Sequence, residues 1–397
     1  MLRKFSGISP ILVLLSPILG FLVACSDMRK KANGIAFILF YAIFGYAYSF
    51  DDMRLDIYRK MLIFQSWPEH YTTKEVFQDF IMGNTSEIYE QLLNTWIRQL
   101  TDNAHILFMV VGLVAGSFIC LSIRKMLKHI PLRNQEKIYI VLTVVLFLSP
   151  VSIGGIRFLT AASIFLYSSL VILLDRKWYG IIGACICPLI HFSHTILIPF
   201  LFIVFLLQNS QKTKFLIFIL TVTCLLSAIM GMSGIQSAIS SIDFGKDSTL
   251  GYKATAYSSE DSISLYSKSL TTILLKVQRY LTRAYILLFA FIAWKLIEKR
   301  KKYFNLKLLN ITILFLILGC FFMEFSVVGD RYLVFGQCLL PFFLVSKAST
   351  SKSIETTRLI KISPFFYVFS IGWVLFNTYI GVNSNFFYLP FPIFLAQ

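Results

Sequence analysis

The sequence predicts an all-α polytopic integral membrane protein of about 11–12 transmembrane helices, a broken pair among them, with a large external loop that carries an amphipathic helix. Three observations predict it. Charged residues make up only 14% of the 397 residues, where a water-soluble domain carries about a quarter. Mean hydropathy is +0.72. Apolar runs of membrane-spanning length recur from one end of the chain to the other. The formal charge of +17 would suggest nucleic acid in a soluble protein; in a chain this apolar it marks cytoplasmic loops, and no nucleic-acid partner is expected. All seven Cys fall in or beside apolar segments, which indicates neither a disulfide framework nor a paired-Cys zinc site.

Taken in order, the first span, 8–26, follows Arg3-Lys4 and ends in Leu22-Val23-Ala24-Cys25. That arrangement imitates a lipoprotein signal. Cleavage there would put Arg29-Lys30-Lys31 outside and invert every later loop, so the segment is read as an uncleaved span. Further spans are 33–50, 104–123, 138–153, 156–174, 214–234, 280–297, 305–325, 330–346 and 362–380. The run 178–208 is too long for one ordinary crossing and contains Pro188, Pro199 and His191-Phe192-Ser193-His194, which predicts a broken pair of helices. No repeat of fixed period and no soluble domain is visible. Residues 1–397 therefore read as a single transmembrane domain with external loops 51–102 and 235–269.

Basic clusters at 29–31, 124–137, 176–177, 212–214, 295–307 and 347–361 hold most of the 37 Lys and Arg. They share one side only if 178–208 enters and returns, and the positive-inside rule makes that side cytoplasmic. Loop 51–102, the Gly154-Gly155 turn, loop 235–269, the Asp330-Arg331 turn, the His191–His194 apex and both termini are then external.

Loop 51–102 holds nine of the chain's 20 acidic residues and is far longer than a connector needs. Asn84 followed by Glu87 predicts a helix cap. Ile88, Leu92, Leu93, Trp96, Ile97 and Leu100 then recur at helical spacing, as in a lid or interfacial anchor on the outer membrane surface. Asp52, Asp56 and Glu87 are candidates for general base and sugar binding, because carboxylates accept hydroxyl protons and hydrogen bonds. Arg157 follows Gly154-Gly155 at a helix start, where backbone N–H groups already favour an anion and a guanidinium adds a fork matched to phosphate. Lys276, Arg279 and Arg283 line one helix face, and Arg331 stands beside Asp330. An Arg inside a membrane costs about 2.5–3.5 kcal/mol, so such residues face a cavity or a partner. The plainer reading pairs Arg331 with Asp330 or Glu324 and lets Arg283 snorkel. His191 and His194 read either as substrate-contacting or proton-handling groups or as a satisfied core pair; a metal would need a third ligand that the apex lacks. Together the arginines point to a phosphate- or pyrophosphate-bearing ligand. A phosphate-binding glycine loop, a Gly-x-Ser-x-Gly elbow and a His-Glu-x-x-His pair are all missing from the sequence, so cytosolic nucleotide hydrolysis has no support.

The landmarks come in a distinctive order. A span ends Phe44-Gly45-Tyr46; Asp51-Asp52 and Asp56-Ile57-Tyr58 follow, then Glu87-Ile88-Tyr89, Gly155-Ile156-Arg157 with Ala161, Ile190-His191-Phe192-Ser193, Asp330-Arg331-Tyr332 and a terminal Pro390-Phe391. This order resembles the EpsG-like family of bacterial polysaccharide polymerases, which includes many Wzy-type O-antigen polymerases. The resemblance implies an enzyme that joins oligosaccharide repeats carried on undecaprenyl pyrophosphate at the outer, periplasmic face of the inner membrane. With no convincing metal cluster in the sequence, the reaction is expected to need neither metal nor cofactor, Arg doing the work of a cation. The resemblance implies that Arg157, Arg279 and Arg331 bind pyrophosphate, with Arg283, His194 and Asp52 as further substrate contacts. Asp56 or Glu87 would be the base, and His191 would handle the proton or orient substrate. Membrane lipid and a chain-length regulator are the other candidate partners. A flippase or exporter of lipid-linked oligosaccharide, an O-antigen ligase and a membrane O-acyltransferase are the competing readings.

Overall fold

Prolines place several of the breaks in this helical chain. In the computed structural model, which describes residues 5, 7–52, 56–130, 134–207, 209–240, 270–298, 306–323, 326–351 and 354–394, the regular elements are all helical. The expected first span, 8–26, is two helices, α1 (Ser9–Leu15) and α2 (Pro17–Ser26). Ser16, which precedes Pro17, is forced to extended backbone (φ −151°, ψ 92°), and Pro17 opens the next helix. Gly20 then packs on the Val13 backbone, so α2 folds back against α1.

The expected broken pair in 178–208 is present. Helix α10 (Tyr179–Ile190) carries Pro188 inside it, stops at an extended His191, and resumes through a 3-10 turn (Phe192–Ile196) into α11 (Leu197–Leu206). A second break lies between α16 (Ile354–Phe366) and α17 (Val368–Gly381), bent by 43°. Pro364 has no N–H for the Ile360 carbonyl, which instead accepts the Ser363 hydroxyl at 2.8 Å. The remaining long helices are α3 (Lys31–Tyr46), α7 (Ala104–Lys128), α8 (Asn134–Phe147), α9 (Ile156–Leu170), α12 (Ser210–Ser240), α13 (Leu270–Glu298), α14 (Leu306–Phe321) and α15 (Ser326–Ser351). Short turns α18 (Asn385–Tyr388) and α19 (Phe391–Phe394) close the described chain.

Six helices among the described residues are long and apolar enough to cross a membrane, or seven with the bent pair counted as one span. The higher number expected from the sequence counted apolar runs that form helices of 10–17 residues, such as Pro17–Ser26, Lys31–Tyr46, Tyr179–Ile190 and Leu306–Phe321. Loop 51–102 also differs from expectation. It folds into three helices rather than one: α4 (Asp56–Gln65), α5 (Thr73–Ile81) and α6 (Tyr89–Arg98). The capping box is not Asn84/Glu87 but Thr72/Glu75 at the start of α5, because α6 begins only at Tyr89, with Ile88 in the cap position, beyond the reach of Asn84. Of the expected loop 235–269, residues 235–240 continue α12, and 241–269 lie outside the described residues, as does Glu324.

The chain divides into two compact units, Met1–Pro199 with Trp373–Gln397, and Phe200–Gly372. The first unit is built around a close α3–α7 contact. A Cβ at Gly112 would lie 2.2 Å from the Tyr41 carbonyl oxygen, and one at Gly45 the same distance from that of Phe108, so only glycine admits this approach. The unit has two chemically distinct ends. At one, Lys125 and His129 of the α7 terminus pair with Asp175 after α9, and Arg124 reaches the Arg29 carbonyl; Lys30, Lys31, Arg176 and Lys177 adjoin them in sequence. At the other, His105 Nδ1 meets the Tyr46 carbonyl at 2.8 Å, and the Tyr48 hydroxyl contacts the carbonyls of Pro150 and Val151. The C-terminal segment returns to this second end, where Tyr48 bridges Val382. In the second unit α14 and α15 interlock in the same way, Gly319 against Leu333 and Gly336 against Leu316.

Replacing Gly112 by Leu is expected to wedge α3 from α7 and lower stability by about 1–3 kcal/mol or more. Gly372→Ala, where a Cβ would meet nothing within 4 Å, should be neutral. Thermal unfolding of the detergent-solubilised protein distinguishes the two.

Candidate active site

Three helix ends converge on one cluster of charge in the first unit. Gly155 caps α9, so Arg157 stands in its first turn, as expected. The entry to α6 is stitched to the end of α10 by a backbone hydrogen bond from Ile88 N–H to the Leu189 carbonyl, 3.0 Å. The Thr85 hydroxyl meanwhile holds the Glu87 backbone. This turns the Glu87 side chain inward, where it is 4% exposed, instead of leaving it to cap its own helix.

Glu87 is then fully engaged. One carboxylate oxygen pairs with Nη1 of Arg157. The other accepts the Phe192 N–H at 2.9 Å and faces Nδ1 of His191 at 3.0 Å. Burial alone would raise the Glu87 pKa; the His191 hydrogen bond, the Arg157 charge and the Phe192 N–H outweigh it and hold the group down at about 2. A carboxylate that is ionised at neutral pH only accepts hydrogen bonds, so Nδ1 of His191 is the donor and Nε2 is the basic nitrogen of the ring.

Arg157 meets a second carboxylate. Its Nε lies 3.0 Å from Glu90, in the first turn of α6, and Glu90 in turn takes Nζ of Lys60 at 2.5 and 2.7 Å. The Arg157 side chain stays 39% exposed, and its Nη2 makes no hydrogen bond among the described residues. Nearby, Tyr89 and Thr160 touch through their hydroxyls at 3.3 Å, and burial lifts the Tyr89 pKa to about 12. The arrangement presents a partly open guanidinium, backed by carboxylates, beside an imidazole of fixed tautomer. Chemically it can hold an anion and take a proton.

The other sequence candidates fall elsewhere. Asp56 opens α4, where it is exposed and pairs with Arg59 at 2.5 Å rather than with the cluster. Asp52 lies in the extended stretch after α3, half-buried. His194 is buried behind His191, its Nδ1 3.2 Å from the His191 carbonyl and its ring flanked by Phe158 and Phe165. Arg279, Arg283 and Arg331 belong to the second unit. There Arg283 is buried, with Nη2 3.4 Å from the Ser227 hydroxyl, while the charge of Arg279 acts on Asp330. Among the described residues no three His, Cys, Asp or Glu gather as metal ligands would.

Sequence reasoning overlooked Lys60 and Glu90. A signal for Lys60 was available: it occupies the apolar stripe Ile57, Met61, Phe64 of α4, where a buried Lys requires an acid partner. Glu90 lies three residues beyond Glu87, in the first turn of α6.

No curated protein and no solved structure matches the chain at a significant level. A family match does exist, and it spans the whole of the site described above, from α3 to the C-terminal aromatic segment: the EpsG family over residues 35–392. The chain belongs to the EpsG family.

Proposed function

We propose that this protein is a polysaccharide polymerase, an O-antigen or related surface-polysaccharide polymerase that transfers glycan from undecaprenyl pyrophosphate onto a lipid-linked repeat unit. Family membership supports a polymerase-type role in general. The finer reading rests on one observation: Arg157 and the Glu87–His191 pair sit at the same end of the first unit, away from its basic end. With the basic end cytoplasmic, the cluster faces the periplasm, where lipid-linked repeats are joined.

In this reading the acceptor sugar's hydroxyl oxygen attacks the anomeric carbon of the donor. The bond from that carbon to the phosphate oxygen breaks, and its electron pair leaves with the lipid pyrophosphate. Arg157 stabilises the charge that develops on that oxygen. His191 Nε2 takes the hydroxyl proton, and the resulting imidazolium is balanced by Glu87, which stays ionised. Glu87 is thereby the orienting carboxylate and His191 the base. The donor's net cation requirement is met by guanidinium, and the reaction is expected to proceed without a metal.

A strain lacking the gene should display single capped repeat units in place of long chains on a gel; loss of every surface repeat would instead indicate a flippase or a ligase. Arg157→Lys, which keeps charge but loses the fork, should abolish long chains at normal expression, and wild-type lengths would remove Arg157 from the site. His191→Ala should lower kcat by about 10²-fold or more, and Glu87→Gln by less. Full activity should survive a chelator. The sign of the pH effect follows from the lowered Glu87 pKa: its stabilising contribution is present above about pH 4.5 and fades as pH falls toward 2. The stability gap between wild type and Glu87→Gln should therefore close as pH falls below about 4.5, read as unfolding midpoints across a pH series.

A further inference from the structure

Lys60 and its partner Glu90 are members of the cluster to which the reaction gives no direct role. The Lys60 side chain is 8% exposed, set among Ile57, Met61 and Phe64 on the inner stripe of α4, yet its ammonium reaches both oxygens of Glu90. The three contacts form a line of alternating charge across three elements: Lys60 on α4, Glu90 on α6, Arg157 on α9, with Glu87 completing it. Two cations balance two carboxylates. Without Lys60, the Arg157 guanidinium would face both carboxylates alone, and the cluster would carry a net negative charge toward any incoming anion. The nearest approach of Glu90 to Arg157 is to Nε at 3.0 Å, while its shorter contacts, 2.5 and 2.7 Å, go to Lys60.

We propose that Lys60 is a positioning residue for donor binding: by donating to both oxygens of Glu90, it leaves Arg157 able to exchange Glu90 for the diphosphate of an isoprenoid-linked donor. The inference rests on the reading of Arg157 as the diphosphate ligand. Lys60 does not touch the donor. It acts through Glu90, and that dependence distinguishes it from a residue that merely supports α4. The identity of the ligand follows from the same chemistry: a doubly or triply charged phosphate competes for a guanidinium already neutralised on one edge, whereas a neutral sugar would gain nothing from the exchange.

The test uses the full-length protein in nanodiscs and geranylgeranyl diphosphate as the probe, with Kd measured for each variant. Lys60→Met should weaken binding about tenfold. Glu90→Gln should bind as tightly as wild type or tighter, and the Lys60→Met/Glu90→Gln double variant should recover to within about twofold of wild type. Lys60→Arg should bind within about threefold of wild type. In turnover assays the Lys60→Met defect should fall on KM, with kcat preserved. Wild-type binding by Lys60→Met, or a double variant as weak as Lys60→Met, would overturn the proposal. Should Lys60→Met fail to fold, Glu90→Gln alone decides: weakened binding there overturns it, because removing a competing carboxylate cannot then be favourable. Arg157→Ala reports separately on the underlying reading. Wild-type affinity in that variant would remove the diphosphate from this site, whatever Lys60 does.

Discussion

The guanidinium of Arg157 meets two carboxylates from one short stretch of chain, and the end of the first unit is organised around that contact. Glu87 is buried, and a buried carboxylate left without partners costs several kcal/mol, so its position is tenable only because Arg157, the Phe192 N–H and His191 converge on it. The groups that meet here come from three separate places in the chain. Arg157 is delivered by the start of α9, Phe192 and His191 by the break after α10, and Glu87 by the turn that enters α6. The break after α10 is thus a requirement of the site. A continuous helix through 191 would tie the Phe192 N–H to the Pro188 carbonyl and leave Glu87 one donor short.

The outer helices depend on the same contact. Helix α6 is held to α9 through Glu87 and Glu90, and α4 is held to α6 through Lys60. An anion that takes Arg157 therefore competes with the contacts that seat α6. Ion pairs of this kind contribute modestly to net stability, because desolvation offsets the Coulomb gain. Their value here is selectivity: they fix where one guanidinium points and what must be displaced to reach it.

Much of the fold was legible because it is written in local chemistry. Apolar run length gave the spanning helices, Pro188 gave the break near His191, and the Gly154-Gly155 pair gave the start of α9 with Arg157 in its first turn. What was not legible is non-local. Glu87 finds Arg157 across 70 residues and Phe192 across 105, and Lys60 finds Glu90 across 30. No periodicity encodes such pairings. Asn84 misled for a related reason: it has the chemistry of a cap, but the helix starts later, at Tyr89, and the Asn84 amide N–H donates to Asp79. The residue before Pro17 shows the converse, a purely local rule that splits an apolar stretch which hydropathy alone reads as one span.

The assignment of the proton acceptor turns on what hydrogen bonding does to a carboxylate. Either Glu87 or Asp56 had the chemistry for a base when only the sequence was considered. In the fold Asp56 is exposed and paired with Arg59, while Glu87 accepts so many hydrogen bonds that its pKa falls to about 2. A base that weak gains almost no driving force in taking a sugar hydroxyl's proton near neutral pH. The interactions that make Glu87 a poor base make it a good partner for an imidazole, since an acceptor that stays ionised fixes the Nδ1–H tautomer and stabilises the imidazolium once formed. The same carboxylate that orients His191 also anchors Arg157, so the groups proposed to take the proton and to hold the leaving diphosphate are set by one buried charge. Moving that charge would misplace both at once, because the same two oxygens hold the imidazole and the guanidinium.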